Sequence, residues 1–292
     1  TSLETIPPLP LDVLTDDMKT WVQDAGVVLG NVEGVWWRLG RPSGEESLVE
    51  TLQDGGFVGL YFHGGGYVLG SAKDVRSGFA RIPRGLVAHR ICSCVLSVEY
   101  TLIARQTDGQ KRCYPLQILE ALSAYHHLLT AFNIPAKRII FIGDSAGAHL
   151  VLALQRYLSE SGRPSSPWGL VLLSPWCDLS KEADRVRGLL GHLPAESLTS
   201  PYFSPALQAP PSSWPSTLVY SGAQESFAQS ISALVTQLRK ADASVAFYEA
   251  LEILPRYSHD FLIFDTVEGA WPDEVRLCWA RIKTWTEQLA AS

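Results

Sequence analysis

The feature that most constrains this chain is the run Gly143-Asp144-Ser145-Ala146-Gly147, which follows the apolar stretch Arg138-Ile139-Ile140-Phe141-Ile142 directly. The β-branched and aromatic stretch reads as a buried strand. From Ala146 to Leu158 the pattern is helical, until Gly162 and Pro164 stop it. Strand, sharp turn and helix follow one another with no room for a loop. Gly143 and Gly147 let strand and helix approach closely, with Ser145 strained at the apex and a helix N-terminus behind it. About eighty residues upstream stands His63-Gly64-Gly65-Gly66, whose backbone N–H groups are free to face a developing negative charge.

The rest of the chain alternates in the same way. Strands are expected over Val32–Arg41, Glu46–Gln53, Gly56–Phe62, Ile91–Tyr100, Trp168–Leu173, Ser216–Ser221 and Ser244–Leu251, with a turn at Pro42-Ser43-Gly44. Helices are expected around Met18–Gly26, over Tyr114–Phe132, Phe227–Lys240 and Asp273–Ala290, and from Val75 to His89 with a break near Pro83. This alternation implies a mostly parallel sheet with helices on both faces, in a single domain spanning residues 1–292. The irregular stretches of about residues 1–30 and 180–215 are expected to cover the site as a cap.

Composition narrows the classes. The chain is 46% hydrophobic and 18% charged, with a net charge of −6 and no long run of either sign. That argues against a nucleic-acid partner, and no stretch reaches the length of a membrane span. The N-terminal residues lack the basic region and apolar core of a signal peptide, so a cytoplasmic location is expected. Five scattered cysteines favour free thiols. Cys92 and Cys94, two apart on an expected strand, are read as small buried residues on one face. No metal ligand set and no cofactor are implied.

A serine hydroxyl needs a base within hydrogen-bond reach. Downstream of Ser145 the candidates are His259, in the loop Pro255-Arg256-Tyr257-Ser258-His259-Asp260-Phe261, and His192 in the expected cap. In α/β-hydrolases the order along the chain is serine, acid, histidine, with the histidine beyond the last strand, which selects His259. The acid belongs just past a strand end. Glu225 stands there, with Asp178 as its main rival and Glu249 and Glu252 further options; Asp260 follows His259 and breaks the order. Gly65, Gly66 and Ala146 would supply the N–H groups of an oxyanion hole.

With these motifs in hand, the chain resembles the hormone-sensitive-lipase-like family of α/β-hydrolases. The residues that carry the resemblance are His63-Gly64-Gly65-Gly66-Tyr67, Gly143-Asp144-Ser145-Ala146-Gly147, Ser174-Pro175-Trp176-Cys177-Asp178-Leu179, Ser221-Gly222 with Glu225, and Ser258-His259-Asp260-Phe261. The resemblance runs from about Gly56 to the C-terminus, and its style is similar to fungal members that act on small acetylated or lactone-containing metabolites. It implies an α/β-hydrolase fold with a helical cap. It also implies a serine carboxylesterase with Ser145, Glu225 and His259 as catalytic residues, acting on a small-molecule ester; a monomer and a homodimer are both left open. Tyr67, Asp144 and Trp176 are expected to touch substrate, and Trp36, Trp37, Trp214 and Tyr202 are further candidates for an apolar pocket. Two departures stand out: Glu225 replaces the family's usual Asp, and Glu99-Tyr100-Thr101-Leu102-Ile103-Ala104-Arg105 lacks the usual Arg and Pro. Two other readings remain open: transfer or cyclisation chemistry on the same acyl-enzyme, and a catalytically silent receptor of the same fold.

Overall fold

The computed structural model describes residues 1–39, 56–103 and 110–291. The expected strand Glu46–Gln53, the turn before it, and Ala104 and Arg105 lie outside the described residues. Among the described residues the strands are β1 (Ser2–Ile6), β2 (Val32–Arg38), β3 (Val58–Phe62), β4 (Cys94–Glu99), β5 (Ile139–Asp144), β6 (Gly169–Leu173), β7 (Ser216–Gly222) and β8 (Val245–Ala250). The helices are α1 (Asp16–Ala25), α2 (Arg81–Ala88), α3 (Leu116–Thr130), α4 (Ala146–Ser161), α5 (Ala183–Leu190), α6 (Ala228–Lys240), α7 (Pro255–Ser258), α8 (Asp265–Ala270) and α9 (Pro272–Ala290).

The strands form one sheet in the order β1-β2-β4-β3-β5-β6-β7-β8. β2 runs antiparallel to both neighbours, and from β4 to β8 every pairing is parallel. The central strands β3, β5 and β6 are buried along their whole length, which is why they read as unbroken apolar runs. Successive residues feed opposite faces. Leu60, Phe62 and Phe141 pack into the layer with α3, α4 and α6. Tyr61, Ile140 and Ile142 pack into the layer with α2 and α9, where Trp279 and Trp285 are also buried.

The structure corrects several expectations. Residues 2–6 do not belong to a cover; they form edge strand β1, paired along β2, with Ile6 fully buried and Glu4 accepting the indole N–H of Trp36 at 3.0 Å. Cys92 and Cys94 lie in different layers, because β4 begins only at Cys94 and strand alternation does not reach back to Cys92. Pro83 breaks nothing: a 3₁₀ turn at Gly78–Ala80 leads into α2, and Pro83 lies in its first turn, where an N–H has no intrahelical acceptor to lose. No described helix is long and apolar enough to cross a membrane.

Two glycines place the site. A Cβ on Gly143 would collide with the Gly147 backbone, and one on Gly147 would collide with the Phe62 carbonyl oxygen. The first turn of α4 therefore rests directly on the end of β3, where the His63-Gly64-Gly65-Gly66 loop begins. Gly147→Ala is expected to lower stability by about 1–3 kcal/mol through overpacking, measured as a lower urea midpoint at unchanged slope. Gly30→Ala, where an added Cβ meets nothing within 4 Å, is expected to shift the midpoint by less than about 0.5 kcal/mol.

Candidate active site

Ser145 sits between β5 and α4 at φ 51° and ψ −114°, a backbone conformation that L residues rarely adopt. The turn is held from both sides: Ser145 N–H donates to Leu173 O at 2.9 Å, and Trp176 N–H donates to Ser145 O at 3.1 Å. Its Oγ lies 2.9 Å from His259 Nε2, and His259 Nδ1 lies 3.3 Å from Glu225 Oε1. A neutral ring that gives its Nδ1–H to Glu225 leaves the Nε2 lone pair for the serine hydroxyl. The arrangement can therefore move a proton from Ser145 to His259 and hold the resulting cation against a carboxylate.

The Glu225 side chain has 0% exposure, so its orientation is set entirely by protein partners. Its Oε2 accepts from Gly222 N at 2.9 Å and from Ser174 Oγ at 2.6 Å. Glu225 N–H also donates to Gly222 O at 3.2 Å, so the turn after β7 folds the carboxylate back onto the strand end. Asp178, the rival acid, lies elsewhere and accepts from Ser180 N at 3.0 Å and Ser180 Oγ at 2.6 Å, as a turn residue does. His192 lines a separate cavity of about 350 Å³ with Trp21, Tyr114 and Tyr202.

Asp260 is the site residue that chain order had set aside. It sits in the left-handed region at φ 49°, with Oδ2 3.2 Å from His259 Nε2. Its N–H donates at 3.1 Å to the Ser174 Oγ that serves Glu225. Burial, then the charges of Asp144 and Glu225, push the pKa of its carboxyl well above the usual range. Burial also raises Asp144, against the opposing effect of the Tyr61 hydroxyl that donates to it at 2.5 Å.

The glycine loop is braced by aromatics. The His63 ring stacks on Tyr100 at 4.5 Å, and the Tyr100 hydroxyl donates to His63 O at 2.6 Å. Burial lowers the His63 pKa, so its neutral ring donates Nδ1–H to Gly64 O, 2.7 Å away. Gly65 and Gly66 take φ +102° and +62°. Both line a cavity of about 590 Å³ together with Ser145, His259, Trp176 and Phe227. Ala146 follows the serine as the first residue of α4.

Of the expected substrate contacts, Trp176 lines this cavity, and Tyr67 and Asp144 do not. The Tyr67 hydroxyl is buried against His149 Nδ1 at 2.6 Å, and Asp144 lies beneath the turn on Tyr61. Trp36 and Trp37 are core residues, and Tyr202 lines the separate cavity. Among the described residues no group of three or more His, Cys, Asp or Glu side chains could hold a metal ion. Ser174 is legible in the sequence only as the first residue of its motif, with nothing there to announce its bond to Glu225, and Arg185, which lines the cavity from α5, carries no local signal at all.

A mostly parallel sheet with a strained serine after β5, an acid after β7 and a histidine after β8 defines a class of protein. The chain belongs to the alpha/beta hydrolase fold family, whose sequence profile matches residues 59–262. It is similar to an acetyl-hydrolase of Streptomyces hygroscopicus, 32% identical over 156 residues, which are 53% of this chain and 44% of that protein. It is also similar to steryl acetyl hydrolase 1 of Saccharomyces cerevisiae, 29% identical over 126 residues, which are 41% of this chain and 26% of that one. The matches thus span less than half the length of these curated relatives. A solved hormone-sensitive lipase from a metagenome library shares the fold with a TM-score of 0.65 at 24% identity, covering 89% of this chain and 83% of its own.

Ser174→Ala removes a donor to Glu225 and leaves the Asp260 N–H without its acceptor. The rate at which a fluorophosphonate labels Ser145 is expected to fall about tenfold, and stability by about 1–3 kcal/mol. Timed intact-mass spectra and urea melts measure the two effects.

Proposed function

We propose that this chain is a serine carboxylester hydrolase that cleaves small-molecule esters of short to medium acyl groups through an acyl-enzyme. The observation that carries the reading is the unbroken relay from Ser145 Oγ through His259 to Glu225 at 2.9 and 3.3 Å, opening on a single cavity that Gly65 and Gly66 also line.

Ser145 attacks the acyl carbon as His259 Nε2 takes its proton. The N–H groups of Gly65, Gly66 and Ala146 receive the oxyanion, with the N-terminus of α4 behind them. Glu225 holds the imidazole and stabilises its cation. His259 then returns the proton to the leaving alcohol, and water activated by the same nitrogen releases the acid. Trp176 and Phe227 form the wall against which the substrate's apolar part packs. Helix α1 and the segment 180–215 act as the cap: Trp21 of α1 meets Tyr202 edge-on at 5.3 Å, and Arg185 of α5 reaches the cavity. The complete relay supports turnover rather than silent binding, and the names of the relatives favour acetyl and other short acyl groups.

Steady-state hydrolysis of p-nitrophenyl acetate and butyrate tests this. Wild type is expected to turn both over, and Ser145→Ala and His259→Ala to lose at least about 10³-fold in kcat. Folded wild type that hydrolyses neither ester, or a Ser145→Ala variant with wild-type turnover, refutes the reading.

A further inference from the structure

We propose that Arg185 is a specificity-determining residue of this cavity, and that the preferred substrate is an ester bearing a carboxylate at the end remote from the scissile bond. This rests on the ester-hydrolase reading above and adds the substrate class to it.

Much of the cavity wall is apolar, formed by side chains such as Val68, Leu69, Phe79, Phe227 and Ile263, with Ser145, Ser226, His259 and Asp260 as its other polar side chains. Arg185 is the one permanent cation among the described lining residues. Its guanidinium lies 5.4 Å over the Trp176 ring. Trp176 in turn stacks on Phe227 at 6.1 Å with 10° between planes, and Phe227 meets the His259 ring edge-on at 4.9 Å. Two rings in succession thus lie between the guanidinium and the catalytic imidazole.

The guanidinium is also available. Of its five N–H donors, the Nη1 group bonds to Glu182 Oε2 at 3.0 Å, with no further acceptor among the described residues. That pair lies one helical turn apart with Arg185 67% exposed, an exposed geometry that contributes little. A ligand carboxylate can accept from the remaining donors bidentately, which is the stronger interaction. Of the acids around the cavity, Glu182 engages one guanidinium nitrogen, Asp260 is buried with its carboxyl pKa raised by that burial, and Glu225 is buried behind His259. On a chain of net charge −6, Arg185 supplies a local positive charge at the cavity wall.

The test compares kcat/KM for matched anionic and neutral esters within each protein. One arm places the charge on the acyl side, with the p-nitrophenyl monoester of adipic acid against p-nitrophenyl hexanoate. The other places it on the alcohol side, with para-carboxyphenyl butyrate against its methyl ester. In at least one arm the anionic-to-neutral ratio is expected to be about tenfold higher in wild type than in Arg185→Met. Arg185→Lys should keep part of it, and half-molar salt should erode it in wild type. Ratios that agree within about twofold between wild type and Arg185→Met in both arms overturn the proposal and leave Arg185 as a surface ion pair. Wild type that cleaves the neutral esters but not the anionic ones overturns it too, with the hydrolase reading intact. Wild type that cleaves none of the four overturns both.

Discussion

The structure depends on one backbone contact: the first turn of α4 seated on the end of β3, with Gly147 against the Phe62 carbonyl. No side chain fits between them. Because they touch, the serine after β5 and the glycine loop after β3 come to one place. Parallel pairing of β3 with β5 sets the same alignment from below, with Phe62 opposite Gly143. The remaining parts arrive by sheet order. β6, β7 and β8 follow outward from β5, and Ser174, Glu225 and His259 each leave the same end of successive strands. In an open parallel sheet, those carboxyl ends are where binding crevices form.

Around the serine turn lie three buried carboxyl groups, Asp144, Glu225 and Asp260, the last two 3.3 and 3.2 Å from the His259 ring nitrogens. Their partners differ: Glu225 accepts from Gly222 N and Ser174 Oγ as well as facing His259, whereas Asp260 Oδ1 is buried with no partner among the described residues. Ser174 links the two acids, donating to Glu225 and accepting from the Asp260 backbone. Glu225 thus faces the Nδ1 side of His259, and Asp260 Oδ2 lies on the Nε2 side that Ser145 Oγ also meets.

Much of this was legible in the sequence because it is local or follows from chain order. The turn around Ser145 carries its own glycines and the strand and helix on either side. His259 and Glu225 follow from their positions after strands, and the sheet reads from alternating apolar runs. What was not legible depends on tertiary contact. β1 is short, polar and exposed at Leu3, so no apolar run marks it; pairing with β2 defines it. The side chain of Tyr67 belongs to a motif beside the site yet points away into a bond with His149. Asp260 lies one residue after His259, and only a left-handed backbone turns its carboxyl back onto the ring. Arg185 comes from a helix forty residues beyond the serine, and nothing near it in the chain announces the cavity it lines.

The central claim is that these groups form one device whose nucleophile is Ser145. Its most direct test is rapid-quench intact mass spectrometry of wild type mixed with excess p-nitrophenyl butyrate, followed by peptide mapping. The account predicts a transient adduct of one butyryl group per chain, located on the peptide containing Ser145 and formed as fast as p-nitrophenol is released. Release of p-nitrophenol with the butyryl group on another residue, or with no adduct formed at any time before the steady state under conditions where deacylation is slowed, would contradict it.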